Sequence, residues 1–450
     1  MERVSIQTIY IRMMNIIYNR YFSRIDEKAK NAYLLCIFVW FAFYFILFFN
    51  RSFHQDFLNT HTQRQALSGT LLIMVSFLSM NGPLEQVKWR KRITVPYYLC
   101  AIGLITTGLI HPIGNGYLNF GIMLIFVYPC LYLSWNNRGD YELLFDSIAK
   151  SFEIVGSAFF IYCLLFLYSE LGEALKSGER FCGPAENSNL LSMIGMATFC
   201  TALYMAFRKR NNHIQRPVHV AVMLSGLFMT LIGQSRASIL VAIISLLCAI
   251  CYGYKQKRTR RNNNRNKIIL ILIMIVLIAL LMPVVFKVEK TNDQEGFGNS
   301  VVDRFTMEGK DLNSYSSGRI FLWKNYAKHL NMIGNDFNEV DWEELTGNTV
   351  THAHNNFLEY GYRCGIPVAS LFTLLELLAG LLALGYLFSK TKRRDCYLFV
   401  IIMMVMYAIE SVVDIATIPM ERHAPFFFYM ILTVMIDPCV QNNEHNRSKI

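Results

Sequence analysis

S-S-G-R-I-F-L-W (Ser316–Trp323) and T-H-A-H-N-N-F-L-E-Y-G (Thr351–Gly361) both stand in the one long polar segment of this chain, Lys287–Gly365. The flanking sequence is mostly apolar runs of about 15 to 23 residues, roughly what a helix needs to cross a hydrocarbon core. The chain is 54% hydrophobic and 14% aromatic, a balance that excludes an ordinary soluble domain of 450 residues. The expectation is an all-α polytopic membrane protein of about twelve spans. One large, mainly helical extracytoplasmic loop separates spans nine and ten.

Working outward, the spans are predicted at 32–49, 65–81, 94–110, 116–134, 151–169, 190–207, 217–234, 236–254, 268–286, 366–388, 396–413 and 425–437. Their connections alternate in charge. The N-terminus, 82–93, 135–150, 208–216, 255–267, 389–395 and the C-terminus together hold 29 of the 43 Lys and Arg. By the positive-inside rule these lie in the cytoplasm, so both termini are inside and 287–365 is outside. That loop has twelve acidic residues against eight basic ones, unlike the inner loops. The net charge of +11 is thus a topology signal, and no nucleic-acid partner is expected.

Five parts follow: a cytoplasmic amphipathic segment 1–31, spans 32–286, the catalytic loop 287–365, spans 366–437 and a cytoplasmic tail 438–450. The first segment carries Ile6, Ile9, Tyr10, Met13, Ile17 and Tyr21 at helical spacing, with basic residues between them, as a helix lying on a membrane surface does. No cleavable signal is expected there. Most of the eleven cysteines lie in apolar runs and read as core residues. Cys182 and Cys364 fall in outer loops, close enough in setting to allow a disulfide.

Four sets of residues carry chemistry. Arg319 follows Ser316 and Ser317, either of which can cap a helix to about Leu330 with Ile320, Trp323, Ala327 and Leu330 on one face. A cation at a helix N-terminus makes an anion site; the alternative is a surface arginine with no role. His354, with Asn355 beside it, is placed on a helix capped by Thr349 or Thr351, where an imidazole stays neutral and can act as a general base. Its alternative is a hydrogen-bonded loop histidine. His352 and His354 at i, i+2 do not share a helix face, so no metal site is expected. Arg236, in I-G-Q-S-R-A-S between two apolar runs, is either a functional charge or an interface anchor. In the loop 170–189, Arg180 reads as a phosphate contact and Asn187 and Asn189 as sugar contacts, or the whole as a turn capping the sixth span. Glu376, Glu410 and Asp414 in the late spans are expected to pair with one of these arginines.

Together these residues resemble the O-antigen ligase and O-antigen polymerase superfamily. The similarity rests on Ser235-Arg236, on Ser317-Gly318-Arg319 with Trp323, and on His354-Asn355-Asn356-Phe357-Leu358-Glu359 followed by Gly365. Arg180, Gly183, Asn187 and Asn189 add a looser match, with N-S-N where the family more often has N-P-N. The resemblance implies a metal-independent, inverting glycosyltransferase without cofactor in the cytoplasmic membrane, using a glycan on undecaprenyl diphosphate. Arg236 and Arg319 would hold the diphosphate, with Trp323 in the same substrate-binding element, and His354 would deprotonate a sugar hydroxyl. The acceptor would be a glycan or lipid-linked molecule, and flippase and chain-length regulator proteins would be its partners. A surface polysaccharide polymerase is favoured over a ligase; a flippase for lipid-linked sugars is the reading from another class.

Overall fold

The computed structural model describes residues 6–47, 61–80, 82–85, 91–111, 116–129, 131, 141–185, 187–208, 215–257, 311–336, 342–347, 352–388, 394–414 and 424–435. Every regular element among them is helical. The first, α1 (Ile6–Ile17), turns two apolar faces in different directions. Ile11 and Met14 are buried, whereas Ile9 and Met13 are exposed, the stripe an interfacial helix gives to lipid. Asn15 pins the helix, accepting from the Leu84 N–H at 2.7 Å and donating to the Leu84 carbonyl at 3.1 Å.

The apolar runs fold as α2 (Glu27–Leu47), α3 (His61–Leu78), α4 (Lys91–Ile110), α5 (Tyr117–Phe126), α6 (Tyr141–Phe166), a short α7 (Tyr168–Ser177), α8 (Ser188–Phe207), α9 (Gln215–Gly233) and α10 (Arg236–Lys257). Past the outer segment come α15 (Ile366–Phe388), α16 (Arg394–Val413) and α17 (Ala424–Met435). Among the described residues, six stretches are long and apolar enough to cross a bilayer: Lys91–Ile110, Leu143–Phe166, Ser188–Phe207, Gln215–Gly233, Arg236–Gly253 and Ile366–Gly385. The protein is therefore a multi-pass membrane protein. The predicted span 268–286, the basic loop at 258–267 and the loop as far as 310 lie outside the described residues. The predicted fifth span begins earlier than expected, at Tyr141, and breaks at Leu167 where α7 starts.

α8 is the axis of the bundle. All its residues except Asn189 are buried, so it is walled by protein on every side. α9 packs on it backbone to backbone. A Cβ at Gly195 would come within 2.6 Å of the Gly226 carbonyl oxygen, and one at Gly226 would meet the Gly195 oxygen at the same distance. Ser192 donates to the Thr230 carbonyl at 3.1 Å while Thr230 donates back to the Ser192 carbonyl at 3.3 Å. Small residues and reciprocal hydrogen bonds are how helices associate where lipid gives no hydrophobic drive. By contrast, Leu374, Leu377, Leu381 and Leu384 on α15 are exposed, a lipid-facing row.

The described part of the polar segment forms four short helices, α11 (Leu312–Tyr315), α12 (Arg319–Lys328), α13 (Trp342–Thr346) and α14 (Asn356–Cys364). They share a small core of Tyr326, Leu345, Ala353 and Tyr362. The buried residues of α12 are Leu322 and Tyr326; Ala327 is exposed, so the helix is rotated from the predicted Ile320–Trp323–Ala327–Leu330 face. α14 runs directly into α15 through Gly365, whose φ of 87° only glycine adopts without strain; a Cβ there would also strike the Met332 carbonyl. Cys182 and Cys364 are both free thiols, Cys364 buried and Cys182 exposed, so the allowed bridge is not formed.

Candidate active site

Three connections meet at one end of the bundle. The first is the tight turn between α9 and α10. Gln234 takes φ 53° and its side-chain amide donates to the Gly178 carbonyl at 3.2 Å. Arg180 caps the end of α9: its Nε and Nη2 donate to the Gly233 carbonyl at 3.0 and 2.9 Å, and Nη2 also donates to Asn189 Oδ1. This satisfies a carbonyl that the helix leaves without a partner and sets a cation against the negative end of the dipole. Asn187 caps α8, accepting from the Leu190 N–H at 3.1 Å. These hydrogen bonds of Arg180, Asn187 and Asn189 brace the backbone that delivers Arg236.

Arg236 opens α10. Its guanidinium lies over the Tyr315 ring, 4.4 Å from the centroid, and donates to Ser317 Oγ at 3.4 Å. Those two residues belong to the second connection, the S-S-G-R turn. Ser316 Oγ accepts from the Ile320 N–H at 3.2 Å, as expected of a serine before a helix. Ser317 and Gly318 both have positive φ, 58° and 80°, which folds the chain back so that Arg319 starts α12 beside Arg236. Burial pulls the Arg319 guanidinium below its ordinary pKa; Asp414 and Glu410 oppose that pull and Arg236 adds to it. Two cations and two carboxylates therefore share one field.

The third connection carries the histidines, and here the expected local structure is corrected. His354 is not on a helix. Asn355 is the N-cap of α14, accepting from the Leu358 N–H at 3.0 Å, and His354 precedes it with φ 50°. The proposed caps Thr349 and Thr351 lie outside the described residues. The rest of the motif fastens this turn. Asn355 donates to the Val412 carbonyl at 3.0 Å, and Asn356 donates to Ser411 Oγ at 2.7 Å and Glu376 Oε1 at 3.0 Å. Glu359, fully buried, accepts from the Ala353 N–H at 2.6 Å and pairs with Arg363. Trp323 reaches across from α12 and donates its indole N–H to the Ala353 carbonyl at 3.1 Å.

So held, His354 Nδ1 faces Asp414 Oδ1 at 3.3 Å. Asp414 closes α16, one turn after Glu410, which accepts from Ser238 of α10 at 3.3 Å. The histidine–aspartate pair was not legible in the sequence. Its signal was only an acidic residue at the end of an apolar run, and that was assigned to an arginine. Both assignments have substance, since Asp414 touches His354 and also raises the Arg319 proton affinity. The expectation that the two histidines cannot converge fails as well. Off a helix, the His352 and His354 rings lie edge to face with centroids 4.2 Å apart. With Asp414 they present three ligand atoms within 4.8 Å of one another, a group able to take a metal ion.

The fold and site define a class: a multi-pass helical membrane protein with paired arginines and a histidine–aspartate pair at one end of its bundle. Residues 220–373 match a family model described as O-antigen ligase. This match, over about a third of the chain, supports the O-antigen ligase and polymerase superfamily. The matched stretch includes Arg236, Arg319 and His354 but stops short of Asp414. No curated protein matches the chain.

Proposed function

We propose that this protein is an inverting glycosyltransferase that moves a glycan from undecaprenyl diphosphate to a sugar hydroxyl at the outer face of the cytoplasmic membrane, as a surface polysaccharide polymerase. The observation that supports it most is the convergence of Arg236, Arg319 and His354–Asp414 from separate stretches of chain. Two guanidiniums match a diphosphate and offset its charge as it leaves. A histidine whose Nδ1 faces a carboxylate donates from Nδ1 and keeps Nε2 as the base. The acceptor hydroxyl loses its proton to His354 Nε2 as its oxygen bonds the anomeric carbon. The bond from that carbon to the diphosphate oxygen breaks on the opposite side. Arg180, Asn187, Asn189, Asn355 and Trp323 hold the turns that present these groups. Lipid-facing rows on the spans suit a long polyprenyl chain.

A ligase, passing the glycan to a different lipid or cell-wall acceptor, uses the same chemistry and falls under the same family match. The test is transfer by the purified protein from an undecaprenyl-diphosphate-linked oligosaccharide. Lengthening of the lipid-linked glycan supports the polymerase; transfer only to a separate acceptor makes it a ligase. No transfer to either, with the protein folded, defeats the reading.

A further inference from the structure

A second concave site lies at the same end of the bundle, apart from the arginines. It is a cavity of about 460 Å³, within the usual size of small-ligand sites. Its wall joins His111, just past the end of α4, to His329, Ile333, Asp336, Glu344 and Tyr362 of the outer segment. The floor is braced: the Asn335 N–H donates to the Tyr362 carbonyl at 2.9 Å, and the Ile366 N–H donates to the Asn331 carbonyl at 2.9 Å. Ile333 is exposed, and His329 Nε2 stands 3.6 Å from Glu344 Oε1 at the rim.

The lining has a definite chemistry. Two carboxylates, two imidazoles and the Asn335 amide surround two aliphatic side chains, Ile333 and Leu345, and a phenol ring, and no Lys or Arg is among the lining residues. A pyranose has an apolar C–H face and a rim of hydroxyls, which suits this mixture; carboxylates accept hydroxyl or ammonium protons and repel anions. The placement fits too. Arg319 starts α12 and His329 caps its other end. A ten-residue helix is about 15 Å long, so the cavity stands that far from the cation site. The ends of α4 and α15, both able to span a bilayer, put it at the membrane surface.

We propose that this cavity is a subsite for an uncharged or amine-bearing sugar unit of the glycan, and that it rejects uronic acids. The proposal rests on the glycan-transfer reading for its ligand class. The two sites are opposite in charge, so a lipid-diphosphate-linked chain has one orientation: phosphates at Arg236 and Arg319, sugars toward Asp336 and Glu344.

The experiment is saturation-transfer NMR on the full-length protein in detergent, with methyl glucosaminide, methyl N-acetylglucosaminide and methyl glucuronide as probes. The wild type should bind the first two and not the third. Asp336→Lys with Glu344→Lys should reverse the order between glucosaminide and glucuronide. The milder Asp336→Asn and Glu344→Gln should each weaken glucosaminide several-fold and leave N-acetylglucosaminide less affected. Thermal unfolding of each variant shows whether it is folded. Absence of binding by all three sugars to the wild type overturns the proposal, as does binding that the charge changes leave unaltered. Because binding is read without turnover, charge-dependent binding by a protein that transfers no glycan sinks the transferase reading alone. Transfer without such binding sinks the subsite alone.

Discussion

Gln234, Ser317 and His354 are the non-glycine residues with positive φ among those described, and each belongs to one of the three turns that form the site. A side chain in that region costs about 1–3 kcal/mol, tolerated where the surroundings over-determine it. At His354 the fastening is plain: Trp323, Glu359, Asn355 and Asn356 all hold the backbone on either side. His354→Ala should lower turnover by about 10²–10⁴-fold, the share of a general base, and leave donor binding nearly intact. His354→Gly should be equally inactive yet more stable than His354→Ala by about 1 kcal/mol, because glycine relieves the strain. Equal melting temperatures for the two variants would sink the strain argument; near-normal turnover in either would sink the base. Arg319→Lys should weaken both donor binding and turnover, since an ammonium lacks the planar fork that fits phosphate oxygens. The His352, His354 and Asp414 cluster makes metal dependence a real question. The cation Arg319 acts electrostatically on Asp414 and opposes a dication there, so EDTA should leave transfer unchanged. Loss on EDTA with recovery on a divalent ion would reverse that assignment.

Among the elements, the turn that carries Arg236 depends on how closely α8 and α9 meet. A Cβ at Gly226 would meet the Gly195 carbonyl and the Phe199 amide, both backbone, at 2.6 Å. Neither can rotate away, so Gly226→Ala must push the helices apart and should cost about 1–3 kcal/mol of stability. Gly380 on α15 has open space where its Cβ would go. There alanine should stabilise by up to about 1 kcal/mol, the ordinary propensity gain. Melting of the two variants in one detergent checks the pair; similar shifts would refute the close contact. This level also shows what the sequence could reveal. Apolar runs mark helices because the bilayer admits little else, and Arg236 was legible as a charge at a joint between two of them. The partner of His354 was not, since Asp414 lies sixty positions on and nothing local links them. The histidine turn reads as helix in the sequence when Thr349 or Thr351 is given the capping role; the cap is Asn355, one residue past His354. The rotation of α12 was hidden too, because its Tyr326 is packed against Tyr362 of α14, an element far along the chain.

At the scale of the whole molecule, the bundle is electrically two-ended. At the end bearing Ser188 of α8 stand Arg236, Arg319 and the acidic cavity. At the other end of α8, buried Arg208 pairs with Asp146, to which Tyr204 also donates at 3.0 Å. That second end is where α8 stops at Phe207 and α10 stops at Lys257, and the sequence next to both ends is basic, 208–216 and 255–267. Lys and Arg beside short loops stay in the cytoplasm, whereas a long loop of net acidic charge crosses freely. The active site should therefore face outward and both termini inward. Single cysteines introduced at positions 260 and 344 in a cysteine-free background give the test, with an impermeant maleimide on intact cells. The Glu344→Cys protein should label at once, because that side chain is two-thirds exposed at the cavity rim (66% relative accessibility). The Arg260→Cys protein should label only after the membrane is opened. Labelling of position 260 in intact cells would invert the bundle. The arginines and His354 would then face the cytoplasm, where a lipid-linked glycan awaiting polymerisation outside the cell cannot reach them.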